Sequence, residues 1–259
     1  MTATTARVGD PGTPTVLARA AGAEWLRLRT VRTSWWCLLA ATVTVVGIGV
    51  VMAFDAENVT ATGELPPAPA AGEFGIMLGQ FALLVLVLLA VTQEYASGAI
   101  TPTLQWTPRR GVLLAARLGV PVAAATAAGV LLALVADIAA WFIADLPFSP
   151  GEVAGSLGRI AAVLAAGGVL AVGVGLLLRS TAGALATVFL LQLVLPFLLP
   201  AFGVEWMADL GELLPGTGAI WTLLGEPDMT ALQAGALLVG WAAAALAAGG
   251  WSLLRRDAG

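Results

Sequence analysis

The sequence predicts an all-α membrane protein with six transmembrane helices and both termini in the cytoplasm. Three observations carry that prediction. Of the 259 residues, 59% are apolar and 11% charged, whereas soluble domains average about 25% charged. Mean hydropathy is +0.93. Six stretches, 36–54, 74–91, 118–143, 160–178, 182–199 and 234–254, approach or exceed the roughly 20 apolar residues a helix needs to cross a hydrocarbon core about 30 Å thick. The charges also sort by side. With the N-terminus inside, eleven of the twelve Arg fall in inside segments and only Arg159 falls outside. Asp55, Glu57, Glu64, Glu73, Asp145, Glu152, Glu205, Asp209, Glu212, Glu226 and Asp228 all fall outside. Basic residues concentrate on the cytoplasmic side of membrane proteins, and this bias sets the orientation.

What is missing bounds the chemistry. The chain has no His, no Lys and one Cys, Cys37. Without His it lacks a serine-type triad, a His–Cys protease pair and a His-ligated zinc site. A single Cys forms neither an intrachain disulfide nor a Cys cluster. Without Lys there is no GxxxxGK[ST] loop, whose ammonium holds nucleotide phosphates. If ATP drives this protein, another chain binds it. No catalytic residue set is visible, so the chain is not expected to be an enzyme, and nothing in it suggests a nucleic-acid partner.

The elements follow in chain order. Residues 1–15 are small and polar with Gly and Pro, and read as a disordered tail. Residues 16–259 read as one membrane-spanning unit, with no second, soluble domain. From Val16 to Trp35, Leu17, Ala21, Trp25, Leu28, Val31 and Trp35 recur at steps of three or four, while Arg19, Arg27 and Arg29 lie off that stripe. This predicts a basic amphipathic helix over 16–35 in the interface plane, with Arg32 snorkelling toward headgroups. It anchors the first span, docks a cytoplasmic partner, or does both. The first span is too long, and too far from the N-terminus, for a cleaved signal peptide. Residues 55–73 read as an extracytoplasmic loop.

The segment between the second and third spans is the most informative. Gly98 suits a left-handed helix cap. Thr101-Pro102 and Thr107-Pro108 each read as an N-cap followed by Pro at the first helical position. The prediction is a helix of one to two turns along the membrane face, with Ile100, Leu104 and Trp106 as apolar knobs. Held between two spanning helices, it could pass a push from a cytoplasmic protein into the membrane. An ordinary interfacial turn is the alternative.

At this point the residues resemble a family. The run Glu94-Tyr95-x-x-Gly98-Ala99-Ile100-x-x-Thr103-Leu104, then Thr107-Pro108-Arg109-Arg110 and Leu113-Leu114-Ala115-Ala116-Arg117, is similar to the type-2 family of ABC transporter permeases. So are Glu24-Trp25-x-x-Leu28-Arg29-x-x-Arg32-x-Ser34-Trp35-Trp36 near the N-terminus and Leu213-Leu214-Pro215 in the last outer loop. The resemblance implies an exporter subunit of the bacterial cytoplasmic membrane. It would pair with a second copy or a homologous permease and with two cytoplasmic ATPases, which would hold the ATP and Mg. It further implies that Glu94, Tyr95, Gly98, Ile100, Thr101, Leu104, Arg109 and Arg110 form the coupling contact with the ATPase. Trp25, Leu28, Arg29 and Arg32 would belong to the interfacial connecting helix. Many relatives carry basic residues where this chain has Ala96-Ser97.

Polar residues within the spans complete the inventory. Asp137 lies twenty residues past Arg117, or about 30 Å along a helix. That depth is near the outer headgroups, where ionisation is cheap, although a carboxylate in a span otherwise marks a pathway. Gln192, followed by Pro196 and Pro200, is placed to line a path or bond a neighbouring helix, and Gln80 is a second such candidate. Gly167, Ala171 and Gly175 form a small-residue face suited to close packing. Residues 201–230 hold two short apolar helices around Pro215-Gly216, either a re-entrant cap or an amphipathic loop. The few fixed charges are compatible with a drug-like, natural-product or lipid-like substrate. A secondary transporter, and a non-transporting scaffold or immunity protein, are the rival readings. Abundant Ala and Arg without Lys suggest a GC-rich bacterial genome.

Overall fold

The computed structural model describes residues 12–59, 66–97, 110–225 and 229–255, and among them every regular element is helical. In chain order these are α1 (Thr13–Thr30), α2 (Arg32–Val59), α3 (Pro69–Ser97), α4 (Arg110–Ala144) and α5 (Pro150–Leu178). There follow α6 (Thr181–Ala201), α7 (Glu205–Glu212), α8 (Pro215–Leu224) and α9 (Ala231–Arg255). Six of them, α2 to α6 and α9, are long and apolar enough to cross a membrane. The protein is thus a helical chain with the build of a multi-pass membrane protein. Each helix contains one of the six apolar stretches read from the sequence and extends beyond it at both ends, except that α5 ends with its stretch at Leu178.

Local chemistry sets the helix ends. Pro69, Pro150 and Pro215 each open a helix, where the missing N–H is no loss. Ser180 caps α6 by accepting from the Gly183 N–H at 3.3 Å. Thr230 and Gln233 form a reciprocal cap on α9: the Thr230 N–H donates to Gln233 Oε1 at 2.8 Å, and the Gln233 N–H donates to Thr230 Oγ1 at 3.3 Å. The predicted interfacial helix 16–35 is shorter at its C-terminal end than the stripe implied. It stops at Thr30, Val31 takes an extended conformation, and Arg32 to Trp35 belong to the first turn of α2. Periodicity alone could not register the break, because Val31 and Trp35 continue the stripe through it.

α3 and α5 are the inner helices of the bundle, and the other spans surround them. In hydrocarbon, helices associate through close packing rather than hydrophobic transfer, so small residues decide where backbones meet. α5 and α9 are pressed together at Gly173 and Gly249: a Cβ on Gly173 would lie 2.5 Å from the Ala245 carbonyl oxygen, and one on Gly249 would overlap the Gly173 backbone. The predicted face of Gly167, Ala171 and Gly175 is buried on α5, where Gly167 meets Leu84 and Gln192, and Gly175 meets Leu88 and Thr92. That face packs chiefly on α3.

The two short helices in 201–230 are present. α7 carries exposed Trp206 and Leu210, whereas most of α8 is buried. The first turn of α8 lies against α6 because Gly216 has no side chain: a Cβ there would come within 2.7 Å of both Gln192 C and Pro196 Cγ. The Trp241 indole N–H donates to the Leu213 carbonyl at 2.8 Å and pins the α7–α8 turn to α9.

Gly173→Ala should lower stability by about 1–3 kcal/mol, because the new methyl meets backbone that cannot yield by rotamer change. Gly240→Ala, on the open side of α9 with nothing within 4 Å, should leave it unchanged. Thermal unfolding of the purified variants in detergent measures both.

Candidate functional site

The site is built from the end of the bundle where α3 stops and α4 begins. Gly98, Ile100, Thr101, Leu104 and Arg109 lie outside the described residues. Glu94 falls in the last turn of α3 and Arg110 opens α4. What the structure places is the frame on either side of that segment. Arg117 sits seven residues, or about 10 Å, into α4 from Arg110. Its side chain is fully buried, and its Nε lies 3.5 Å from Oε1 of Glu24 on α1. Glu24 is itself buried, with Oε2 at 3.5 Å from Arg27 Nη1. The Arg27 guanidinium then donates to the Ala90 carbonyl of α3, seven residues before the end of that helix.

Charged groups in so dry a place persist only when paired. Here the pairing ties α1 to both helices that flank residues 98–109.

Tyr95 anchors the same end of α3 to the other half of the bundle. The Arg179 guanidinium lies over its ring at 5.7 Å and donates to the Ser252 carbonyl of α9 at 3.1 Å. Arg179 takes a left-handed conformation (φ 52°) that ends α5. One turn back, the Thr181 hydroxyl donates to Thr92 Oγ1 at 2.9 Å. Among the predicted coupling residues, Tyr95 is therefore a packing and cation–π partner within the chain.

The predicted interfacial residues divide. Trp25 is half exposed, with the Arg29 guanidinium 5.8 Å from its ring. Leu28 faces a small cleft shared with Arg27, Leu86, Leu89, Ala90 and Gln93. Arg32 is exposed at the start of α2. On α1 the apolar stripe stays free at Leu17 and Trp25, as a lipid-facing helix requires, while Leu28 turns to the cleft. A different face, centred on Glu24, meets the protein.

The intramembrane polar residues are sealed within this chain. Asp137 is fully buried, and its Oδ1 accepts the Gly72 N–H at 2.8 Å, one of the donors that the first turn of α3 leaves unpaired. A carboxylate there also meets the positive end of the helix dipole. Protein surrounds it, where the sequence reading expected outer headgroups. Gln80 is buried and donates from Nε2 to the Met77 carbonyl of its own helix at 3.0 Å. Gln192 is buried in a π-helical turn, Leu190–Val194, between Gly167 and Gly216. Such turns arise where a helix departs from regular bonding, and Pro196 cannot donate to the Gln192 carbonyl. Asp137, Gln80 and Gln192 sit on three different helices, α4, α3 and α6.

At the opposite end, Glu73 of α3 is paired with Arg159 of α5. A cleft of about 360 Å³ opens there between α6, α7 and α8, lined by Phe197, Pro200, Glu212, Thr217 and Ile220 among others. Among the described residues no group of three or more His, Cys, Asp or Glu is placed to hold a metal ion.

No protein-family model matches the chain, and no curated protein matches it.

Sequence reasoning missed the role of Glu24. Its signal was present: it is the sole acidic residue in α1, three positions before Arg27.

Asp137→Ala should cost about 1–3 kcal/mol, the penalty for a buried N–H left without an acceptor. Asp137→Asn keeps an acceptor oxygen and should cost less. The unfolding midpoints of the two variants in detergent rank them.

Proposed function

We propose that this chain is the membrane-spanning subunit of an ATP-driven exporter, of the type-2 ABC permease kind, in a bacterial cytoplasmic membrane. It pairs with a second copy or a homologous permease, and two cytoplasmic ATPases supply the ATP and Mg. The observation that carries the reading is the frame around residues 98–109. α3 has 29 residues and α4 has 35, so they run about 43 and 52 Å against a hydrocarbon core of about 30 Å. Two helices longer than the hydrocarbon core bracket the segment whose sequence resembles a coupling helix. A push there reaches the centre of the bundle through helices already packed on it.

In this mechanism the ATPases close on ATP and displace the 98–109 segment with Tyr95 and Arg110 at its borders. α3 and α4 carry that displacement toward α5, and the path between the paired permeases opens outward. The short helices α7 and α8 form the outer cap, with α8 dipping beside α6. Support for that dip is the contact of Gly216 with Gln192, nine residues before the end of α6. ATP hydrolysis belongs to the partner, because without Lys this chain has no GxxxxGK[ST] loop. The secondary-transport reading would need a carboxylate free to carry protons, and Asp137 instead has a structural acceptor role at the start of α3.

The test is affinity purification of the tagged chain from its native membrane in mild detergent. A stoichiometric protein with a GxxxxGK[ST] loop should co-purify. Leu104→Asp should insert normally and lose that partner. Recovery of the chain without any ATPase would contradict the proposal.

A further inference from the structure

α1 should, as an interfacial anchor, touch only lipid and the start of the first span. Instead its single acid is buried against a fully buried Arg on α4, and the next turn of α1 is tied to α3 through Arg27. We propose that α1 is a strut of the α3–α4 hairpin, with Glu24 as the positioning residue that makes the three helices move as one body. This rests on the exporter reading for what pushes the hairpin, but the strut itself rests on geometry.

Three features argue for it. Arg117 and Glu24 share a dry site, and separating them breaks a buried ion pair, a costly step where water is scarce. Next, Pro121 lies four residues beyond Arg117 inside α4. It offers no N–H to the Arg117 carbonyl, so the weakest turn of α4 lies just membrane-side of the clamp. A displaced α4 yields at Pro121 before it releases Glu24. Last, α1 joins α2 through Val31 alone, whose N–H donates to the Arg27 carbonyl at 3.1 Å. Motion of α1 therefore passes directly to the first span. α2 itself packs on both helices of the hairpin, Val45 against Gly75 of α3 and Gly49 against Ala136 of α4, and the clamp adds α1 to that body at its Arg-rich end.

The test places spin labels at Ala23 and Ala115, both exposed, in a Cys37→Ser background of the full chain in lipid nanodiscs. The distance between them should form a single narrow peak. Glu24→Gln should lose that peak, and the exchanged pair Glu24→Arg with Arg117→Glu should regain it. A narrow peak retained in Glu24→Gln would overturn the strut, as would a well-folded exchanged pair that stays broad. In the assembly with its ATPase, Mg-ATP with orthovanadate should shift the distance from Ala23 to a label at Leu232, at the other end of the bundle. The same shift should appear in the exchanged pair and vanish in Glu24→Gln, although that variant still hydrolyses ATP when vanadate is left out. An unshifted distance in the vanadate-trapped unmodified sequence would also overturn it. If no ATPase associates while the narrow peak and its rescue hold, the exporter reading fails and the clamp stands.

Discussion

Hydrocarbon has no water to offer a stray N–H or C=O, and the whole architecture depends on that constraint. Every spanning segment must close its own backbone bonds, which leaves helices as the solution for this chain. The same solvent removes the hydrophobic effect as the force between helices, so cohesion comes from close contact and from polar ties. The contacts are supplied by small residues such as Gly173 and Gly249, where α5 and α9 touch backbone to backbone. The polar ties lie mostly toward the ends of the bundle.

The two ends are tied differently. At the Arg-rich end, Glu24, Arg27 and Arg117 join α1, α3 and α4, while Arg179 and Thr181 join the turn after α5 to Tyr95 and Thr92 of α3. At the acid-rich end, Asp137 holds the start of α3, Glu73 pairs with Arg159, and the Ala68 N–H donates to the Pro147 carbonyl at 3.0 Å. Between them lies a core of Leu, Val and Ala, interrupted chiefly by the π turn at Gln192 and the prolines of α4 and α6.

Much of the fold was legible in the sequence, because length and hydropathy dictate membrane spans directly. All six apolar stretches correspond to helices, and the paired short helices around Pro215-Gly216 are where the turn chemistry put them. The legible part ends where side chains choose among neighbours. Trp25 and Leu17 pointed to a lipid-facing stripe, yet nothing in one-dimensional spacing says that Glu24 on the adjacent face meets Arg117, ninety-three residues later. Asp137 could be given a depth from Arg117 by counting, but not a partner, since Gly72 lies on a helix whose rotation the sequence does not fix. The helix break at Val31 was hidden because an apolar residue there serves both a continuous stripe and a joint. The frame of the candidate site was thus readable, and the links that hold it were not.

One placement underlies the exporter proposal, namely that the end bearing Arg117 faces the cytoplasm. Single-Cys variants in a Cys37→Ser background, treated with a membrane-impermeant maleimide, measure this directly. Gln105→Cys should label in inverted membrane vesicles and not on intact cells, and Glu152→Cys should do the reverse. Labelling of Gln105→Cys from outside intact cells would contradict the account.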